Sequence, residues 1–493
     1  MGILEKIAPR FMANRERARR ELKLEKLKSE ILNYSQHGAS TRKNTFREYD
    51  DNLYDADEDI GDNKEILMAR SRQLYMGNSI AIGAIRKMRT NVVGTGIKLK
   101  PKINKKILGL TDEEASQIQE NIQTVWELWA NSVECDLERQ SNFYQLQSLA
   151  LITQLVDGEC FVLLPLEKRN NEFFELKIKL IDSARCITPS IANVDAKNGV
   201  EINKKGEVVA YWFIKNKLTL IPERVQVVGK NGRKNVLVLM EKERIGQRRG
   251  VPLLAPVIEM LSQITKFTNA ELMNAVVSSM FSVFITSELN ANPISDMFKS
   301  ESSKVENNYR LGSGTIMELE PGQDVKFAEP TRPNTQFDNF LFAMCKQVGT
   351  ALEIPVEVLL SNFNASYSAS KASLEEVWKT YMMRREWLIA NFCQPIFEEW
   401  LDEAVAKGYL ELKGYFDNPL IRKAYQQAEW YGETQSQLDP YKEIKAAQLR
   451  IETGISTVAR EARNLNGSDW KENIEQRKAE IKAMGGLIND SSK

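Results

Sequence analysis

The spacing of apolar residues changes period twice along this chain, and the two changes constrain its fold class. At Cys160 a helical spacing of three and four residues gives way to short β-rich runs, and at Pro252 the helical spacing returns. Between those points lie runs 160–166 and 173–181, separated by Arg169-Asn170-Asn171. Runs 200–202 and 208–214 are separated by Asn203-Lys204-Lys205-Gly206, and runs 225–228 and 236–240 by Gly229-Lys230-Asn231-Gly232. Polar and glycine-bearing separators between β-rich runs are hairpin signals. They predict a β-rich subdomain over 160–245 set among helices, which makes the chain α+β and mainly α.

On either side the helix signals are dense. Gly77-Asn78-Ser79 offers a C-terminal stop followed by a fresh N-cap, predicting helices over 63–76 and 80–91. Thr111-Asp112-Glu113-Glu114 reads as a capping box opening a helix through Trp126 and Trp129, and another helix is expected from about Asn142 to Val156. After Pro252 the residues Val257, Leu261, Ile264, Leu272, Val276 and Met280 predict one long helix reaching about Phe284. Polar, Pro/Gly-punctuated residues 287–335 follow, with strand candidates at 315–319 and 325–327, then a helix over 336–352. Residues 361–370 form a polar loop, and Ser373-Leu374-Glu375-Glu376 is expected to cap a long helix kinked at Pro395 and ended by Gly408. Three short helices close the chain, opened by Asp439-Pro440, by Ser456 and by Asp469-Trp470-Lys471-Glu472.

The amino-terminal region differs in kind. Residues 1–30 hold nine Lys/Arg against five acids, whereas 48–65 hold nine acids against one base, Lys64. Both read as solvated linker or as an arm that docks on a neighbouring chain, and 1–62 is expected to be a flexible charged arm. No targeting segment or membrane span is predicted; the most apolar stretch, 272–286, is interrupted by Asn274, Ser278, Ser279 and Ser282.

Composition narrows the function. The 493 residues carry 67 Lys+Arg and 67 Asp+Glu, so charge alone does not make this a nucleic-acid binder. One histidine, His37, leaves little for an imidazole-based metal site or acid–base catalyst. Five widely spaced cysteines read as free thiols in a reducing compartment. The Walker-type phosphate loop is absent, and Gly94-Thr95-Gly96 lacks the third glycine of a dinucleotide loop. Asp157-Gly158-Glu159 reads as a tight turn between helix and strand. Ser368 and Lys371 lie in a low-complexity loop with no catalytic context. No catalytic, metal or cofactor site is expected. Residues 222–249 hold eight Lys/Arg against three acids, with Arg244, Arg248 and Arg249 at the end; they are either a solvated surface or a basic patch for a partner.

The segments between these negatives are more informative. Arg72-Gln73-Leu74 with Asn78, Asn91-Val92-Val93-Gly94-Thr95-Gly96, Trp126 with Trp129, and Asp157-Gly158-Glu159 come first. Ile181-Asp182-Ser183 with Thr188-Pro189, Gln247-Arg248-Arg249-Gly250-Val251-Pro252, Glu320-Pro321-Gly322, Ile354-Pro355 and Asn364-Ala365-Ser366-Tyr367-Ser368 follow in order. Trp430, Asp439-Pro440-Tyr441-Lys442-Glu443, Thr453-Gly454 and Gly467-Ser468-Asp469-Trp470 complete the series. This ordered set, over about 65–475, resembles the lambda-type portal protein family of tailed phages.

The resemblance implies a portal fold and a ring, usually of twelve subunits, at one capsid vertex. Double-stranded DNA would enter and leave through it. The terminase large subunit, the major capsid protein and the head-completion and tail adaptor proteins would be its partners, with no membrane involved. It implies a virion component, assembled in the host cytoplasm, with no cofactor and no enzymatic activity of its own. On that pattern 63–250 and 371–415 form the wing, 252–285 and 336–352 the two stem helices, 286–335 a small α/β clip and 418–493 the crown. Residues 361–370 become the channel loop, with Asn362, Asn364, Ser366, Tyr367 and Lys371 as its DNA-facing residues. Two other readings stay open: a head–tail adaptor or scaffold without a channel, and a nuclease or nucleotidyl transferase. The latter needs clustered carboxylates, and the densest acidic stretch, 55–62, sits in expected linker.

Overall fold

The computed structural model of the chain describes residues 9–32, 39, 43–49, 52–189, 196–214, 221–280, 283–287, 323–327, 337–363, 366–435, 440–468 and 470–483. It separates into two units, Met1–Asp55 and Ala56–Lys493. In the first, helix α1 (Pro9–Leu32) has no buried face over residues 14–25. Its support there is local, from side chains a turn apart such as Arg17 with Glu21 and Glu16 with Arg20.

The second unit opens with α2 (Ala56–Gly77), which starts inside the acidic run expected to be linker. Asp57, Glu58 and Asp59 occupy its first turn, where carboxylates favour the positive end of the helix dipole. Asn78 then caps α3 (Ser79–Val92): its Oδ1 accepts from the Ala81 amide at 2.9 Å while its Nδ2 donates to Thr265. Strand β1 (Lys98–Pro101) and the single turn α4 (Lys105–Leu108) lead to α5 (Asp112–Ala130) and α6 (Phe143–Asp157). Reciprocal capping boxes open both long helices, Thr111 with Glu114 and Asn142 with Gln145.

Strands β2 (Glu159–Leu163), β3 (Lys179–Ile181), β4 (Ala196–Lys197), β5 (Val200–Ile202), β6 (Val208–Ile214), β7 (Pro222–Gln226) and β8 (Val236–Met240) make two small antiparallel sheets, ordered β3-β2-β8 and β4-β5-β6-β7. The turn at Asn203 links β5 to β6 as expected of a hairpin. The 225–240 hairpin differs. Its turn closes, with the Gly229 amide on the Arg233 carbonyl at 2.8 Å, but its arms part into separate sheets. β7 extends the apolar β6, and β8 takes the open edge of β2.

The helix after Pro252 is α7 (Ile258–Met280), preceded by a 3-10 turn at Ala255–Val257. It is shorter than expected. Val283 and Phe284 belong to β9 (Val283–Ser287), paired antiparallel with β10 (Gln323–Phe327). The β-branched run Val283, Ile285, Thr286 favours extended backbone, and β10 supplies the partner. The 315–319 strand candidate lies outside the described residues. α8 (Phe337–Ala351) packs on α7 through Phe267, whose ring lies 5.6 Å from Phe337 and 4.9 Å from Phe340.

After α9 (Val356–Leu360) comes α10 (Tyr367–Leu388), a π turn at Ile389–Cys393, and α11 (Gln394–Ala406). Pro395 lacks an amide hydrogen and clashes with a regular turn before it, so the expected kink takes the form of the π turn. α12 (Pro419–Tyr425), β11 (Ala428–Tyr431), α13 (Pro440–Glu452), α14 (Val458–Asn466) and α15 (Trp470–Ala483) complete the chain. Thr457, one residue later than expected, caps α14. Residues 428–431 were expected with the terminal helices; instead β11 pairs with β1, over 300 residues earlier.

That return completes the core. Trp126 is fully buried, with the rings of Phe143, Phe397, Trp400 and Trp430 at 5.0, 5.6, 5.1 and 5.9 Å, all edge-on. Three helices and the late strand thus meet on one indole. Trp126→Ala is expected to lower stability by about 3–5 kcal/mol, read as a lower denaturant midpoint with unchanged slope.

Candidate functional site

Residues 361–370 were expected to be one polar loop, and the structure shortens it. α9 stops at Ser361, a non-glycine residue with φ 55°, and Asn362 beyond it is exposed. Ser366 then caps α10, its Oγ accepting from the Ala369 amide at 3.4 Å, so the helix begins at Tyr367 rather than at the expected Ser373 cap. Of the residues expected to face DNA, Asn362 stands on the exposed segment, Ser366 is used as the cap and Tyr367 opens the helix. Lys371 lies within α10 with its Nζ 3.3 Å from Glu443 of α13. Asn364 lies outside the described residues.

The arginines at the end of the basic run are not a common surface patch. Arg244 pairs with Asp59 and Arg248 with Asp57, which is why α2 starts as early as it does. Arg249 is interior, at 4% exposure. Its Nε and Nη2 lie 2.9 and 2.7 Å from Glu159 Oε1, its Nη1 donates to the carbonyls of Cys186 and Asn198, and its guanidinium sits 5.7 Å from the Phe161 ring centre. Glu159 is fully buried and also receives Lys64 at 2.7 Å, the Ser183 hydroxyl at 2.7 Å and the Gly250 amide at 2.7 Å. Burial alone would push this carboxyl up; the Arg249 and Lys64 charges overcome it and hold it at about 2.

Two sequence motifs are the two halves of this cluster. In Asp157-Gly158-Glu159 the glycine turns the chain at φ 88°, sending Glu159 inward and Asp157 to Arg72, 2.5 Å away, which also reaches Asp182. In Gln247-Arg248-Arg249-Gly250 the Gln247 side chain staples its own loop. It accepts from the Glu243 and Arg244 amides and donates to the Arg249 carbonyl. Gly250 passes Gly158 so closely that a Cβ there would lie 2.0 Å from the Gly158 carbonyl oxygen. The Asn91–Gly96 motif is likewise a docking point. The Arg385 guanidinium donates to the Asn91 and Val92 carbonyls, and Glu433 accepts from the Thr95 amide and hydroxyl.

Lys64 and Lys87 were missed by sequence reasoning, and Arg72 was read only as the start of a motif. Lys64 carried a signal, as the single base in a run of nine acids, and Arg72 lies on the same helix face eight residues on. Lys87 carried none, since its acceptors lie more than 270 residues away. Among the described residues there is no group of three or more His, Cys, Asp or Glu side chains placed to hold a metal ion, and no helix long and apolar enough to cross a membrane.

Comparison with known proteins places this framework. Residues 42–385 match the family described as phage portal protein, lambda family. Portal protein B of Escherichia phage lambda is 24% identical over 437 residues, covering 82% of this chain and 81% of the relative. The portal protein of Escherichia phage N15 is 24% identical over 438 residues with the same coverage. Among solved structures, a chain in the virion of a native gene transfer agent particle superposes with a TM-score of 0.44 at 13% identity, covering 82% of this chain and 93% of that one. A chain in the neck of that particle gives 0.43 at 12% identity, covering 83% and 94%. The chain belongs to the lambda family of phage portal proteins.

Arg249→Met keeps the volume of the side chain but strands Glu159. A broken buried pair costs about 3–5 kcal/mol. The depressed Glu159 carboxyl contributes stability that is fully present above the ordinary carboxylate range and lost as pH falls toward about 2. The variant is therefore expected to be less stable at pH 7, with the gap to the parent narrowing as pH falls through the carboxylate range, because the Glu159 carboxyl without Arg249 takes up a proton more readily in the folded state. Denaturant titrations between pH 3 and 7 measure both effects.

Proposed function

We propose that the chain assembles head to tail into a closed ring at one capsid vertex, and that double-stranded DNA passes through the axial channel during packaging and ejection. Membership of the portal family, over most of the chain, carries this reading. The ring then serves as a docking platform, first for the terminase large subunit, whose ATPase drives packaging, and later for head-completion and tail adaptor proteins. The major capsid protein surrounds it in the virion, after assembly in the host cytoplasm. The portal needs no catalytic site for this role.

Surface chemistry supports the ring. Leu272, Met273 and Val276 on α7 and Phe340 and Phe342 on α8 are exposed in the single chain. A soluble chain gains by covering so much apolar surface, and a head-to-tail neighbour repeated around an axis covers it on every subunit. In this reading α7 and α8 are the stem, and β9 with β10 belong to the clip. The terminal helices from Pro440 form the crown, and residues 428–431 go to the wing.

The exposed loop at Asn362 supports passage of duplex without a grip. DNA carries one negative charge per about 1.7 Å, and each neutralised phosphate adds steeply to affinity. Short uncharged polar groups exchange contacts with little loss, whereas a ring of lysines would hold the strand.

Electron microscopy of the purified full chain tests the proposal: rings with an open axial hole wide enough for duplex are expected, and closed particles under every assembly condition would overturn it. Val276→Glu is expected to leave the folded chain within about 0.5 kcal/mol of the parent while sharply reducing the ring fraction by light scattering. Asn362→Lys is expected to assemble normally but to slow DNA packaging, with the defect relieved as salt rises.

A further inference from the structure

We infer that Lys87, on α3, is the residue that fixes where the 361–366 segment leaves the body of the protein. α9 ends in a Schellman arrangement: the Asn362 amide donates to the Glu357 carbonyl at 2.9 Å and the Ser361 amide to the Val358 carbonyl at 3.3 Å. That arrangement needs a left-handed residue, usually glycine, and here Ser361 takes it at φ 55°. A side chain in that conformation is disfavoured, so the turn needs support from outside its own five-residue helix.

Lys87 supplies it. Its ammonium donates to the carbonyls of Val358 and Leu359, the latter at 2.9 Å, and to the Ser361 hydroxyl at 2.7 Å. A cation at the carboxyl end of a helix satisfies orphaned carbonyls and suits the dipole. The three acceptors come from consecutive parts of one turn, so a single group sets its position and its exit direction. At the other end of the segment Ser366 caps α10, and Lys371 ties the first turns of α10 to Glu443. Asn362 and Phe363, both exposed, therefore leave the body from a base held from α3. The consequence for DNA passage rests on the channel reading of this segment.

Hydrogen exchange on the assembled full-length protein tests the inference. Lys87→Met keeps the length and removes the donors. Losing charge-assisted hydrogen bonds corresponds to about 10–100-fold in the local opening equilibrium. Exchange at the Ser361 and Asn362 amides is expected to quicken by that factor, with core amides of α5 and α6 unchanged. Ser361→Gly in the Lys87→Met background is expected to restore most of the protection, because glycine takes the left-handed conformation without strain. Ser361→Ala leaves α3 untouched, deletes one acceptor and is expected to show a smaller quickening, which keeps the test available if Lys87→Met fails to fold. Exchange at both amides within twofold of the parent in every variant would overturn the assignment. Quickened exchange with an unaltered rate of DNA packaging would uphold Lys87 as the positioning residue and sink the channel reading of the segment.

Discussion

The buried carboxylate of Glu159 is the point on which the larger unit is organised. It accepts from α2 through Lys64, from the loop before α7 through Arg249 and the Gly250 amide, and from the turn after β3 through Ser183. Two cations and two neutral donors satisfy one carboxylate, which leaves little of the desolvation cost of any single charge uncompensated. Apolar packing of the same volume would give comparable stability without direction. An ion cluster of this kind additionally specifies which helix meets which strand and at what angle. The glycines at 158 and 250 make the approach possible, and Asp157 with Arg72 extends it toward the surface.

Around that point the fold divides tasks between rigid and exposed parts. The aromatic cluster on Trp126 holds α5, α6 and α11 together with β11, and the π turn before Pro395 lets one long helix serve both the core and the loop region. The segments proposed to meet partners are built differently. α7 and α8 leave Leu272, Met273, Val276, Phe340 and Phe342 exposed, and Asn362 and Phe363 follow a turn held by Lys87. A densely packed body carrying small exposed surfaces suits the proposed ring, which would keep its symmetry while duplex moves through it.

Local signals in the sequence were read well where the cause was local. The stop and start at Gly77-Asn78-Ser79, the capping box at Thr111, the turn at Asn203 and the glycine turn at 158 each depend on residues within a few positions. Signals with a distant cause were not. Arg244, Arg248 and Arg249 looked like one basic surface because the carboxylates that neutralise them lie at 57, 59 and 159. Ser366 and Ser373 are equivalent as caps in isolation, and the choice between them falls to tertiary packing. The early end of α7 depends on a strand 40 residues further on. Of the residues expected to face DNA, that Ser366 would be spent on a cap and Lys371 on an ion pair with Glu443 was not legible.

The pairing of β11 with β1 carries a consequence for biosynthesis. Trp430 stands within six ångströms of Trp126, and its indole N–H donates to Gln394. While a ribosome is still translating the middle of the message, the emerging chain has α5 and α6 but neither α11 nor the strand that closes the cluster. At about 5–20 residues per second, the interval between Trp126 and Trp430 leaves the nascent chain with an open aromatic seam for tens of seconds. Sister polypeptides growing on one polysome thus display the same unfinished edge side by side, and the proposed ring can draw only on chains that have already sealed their own.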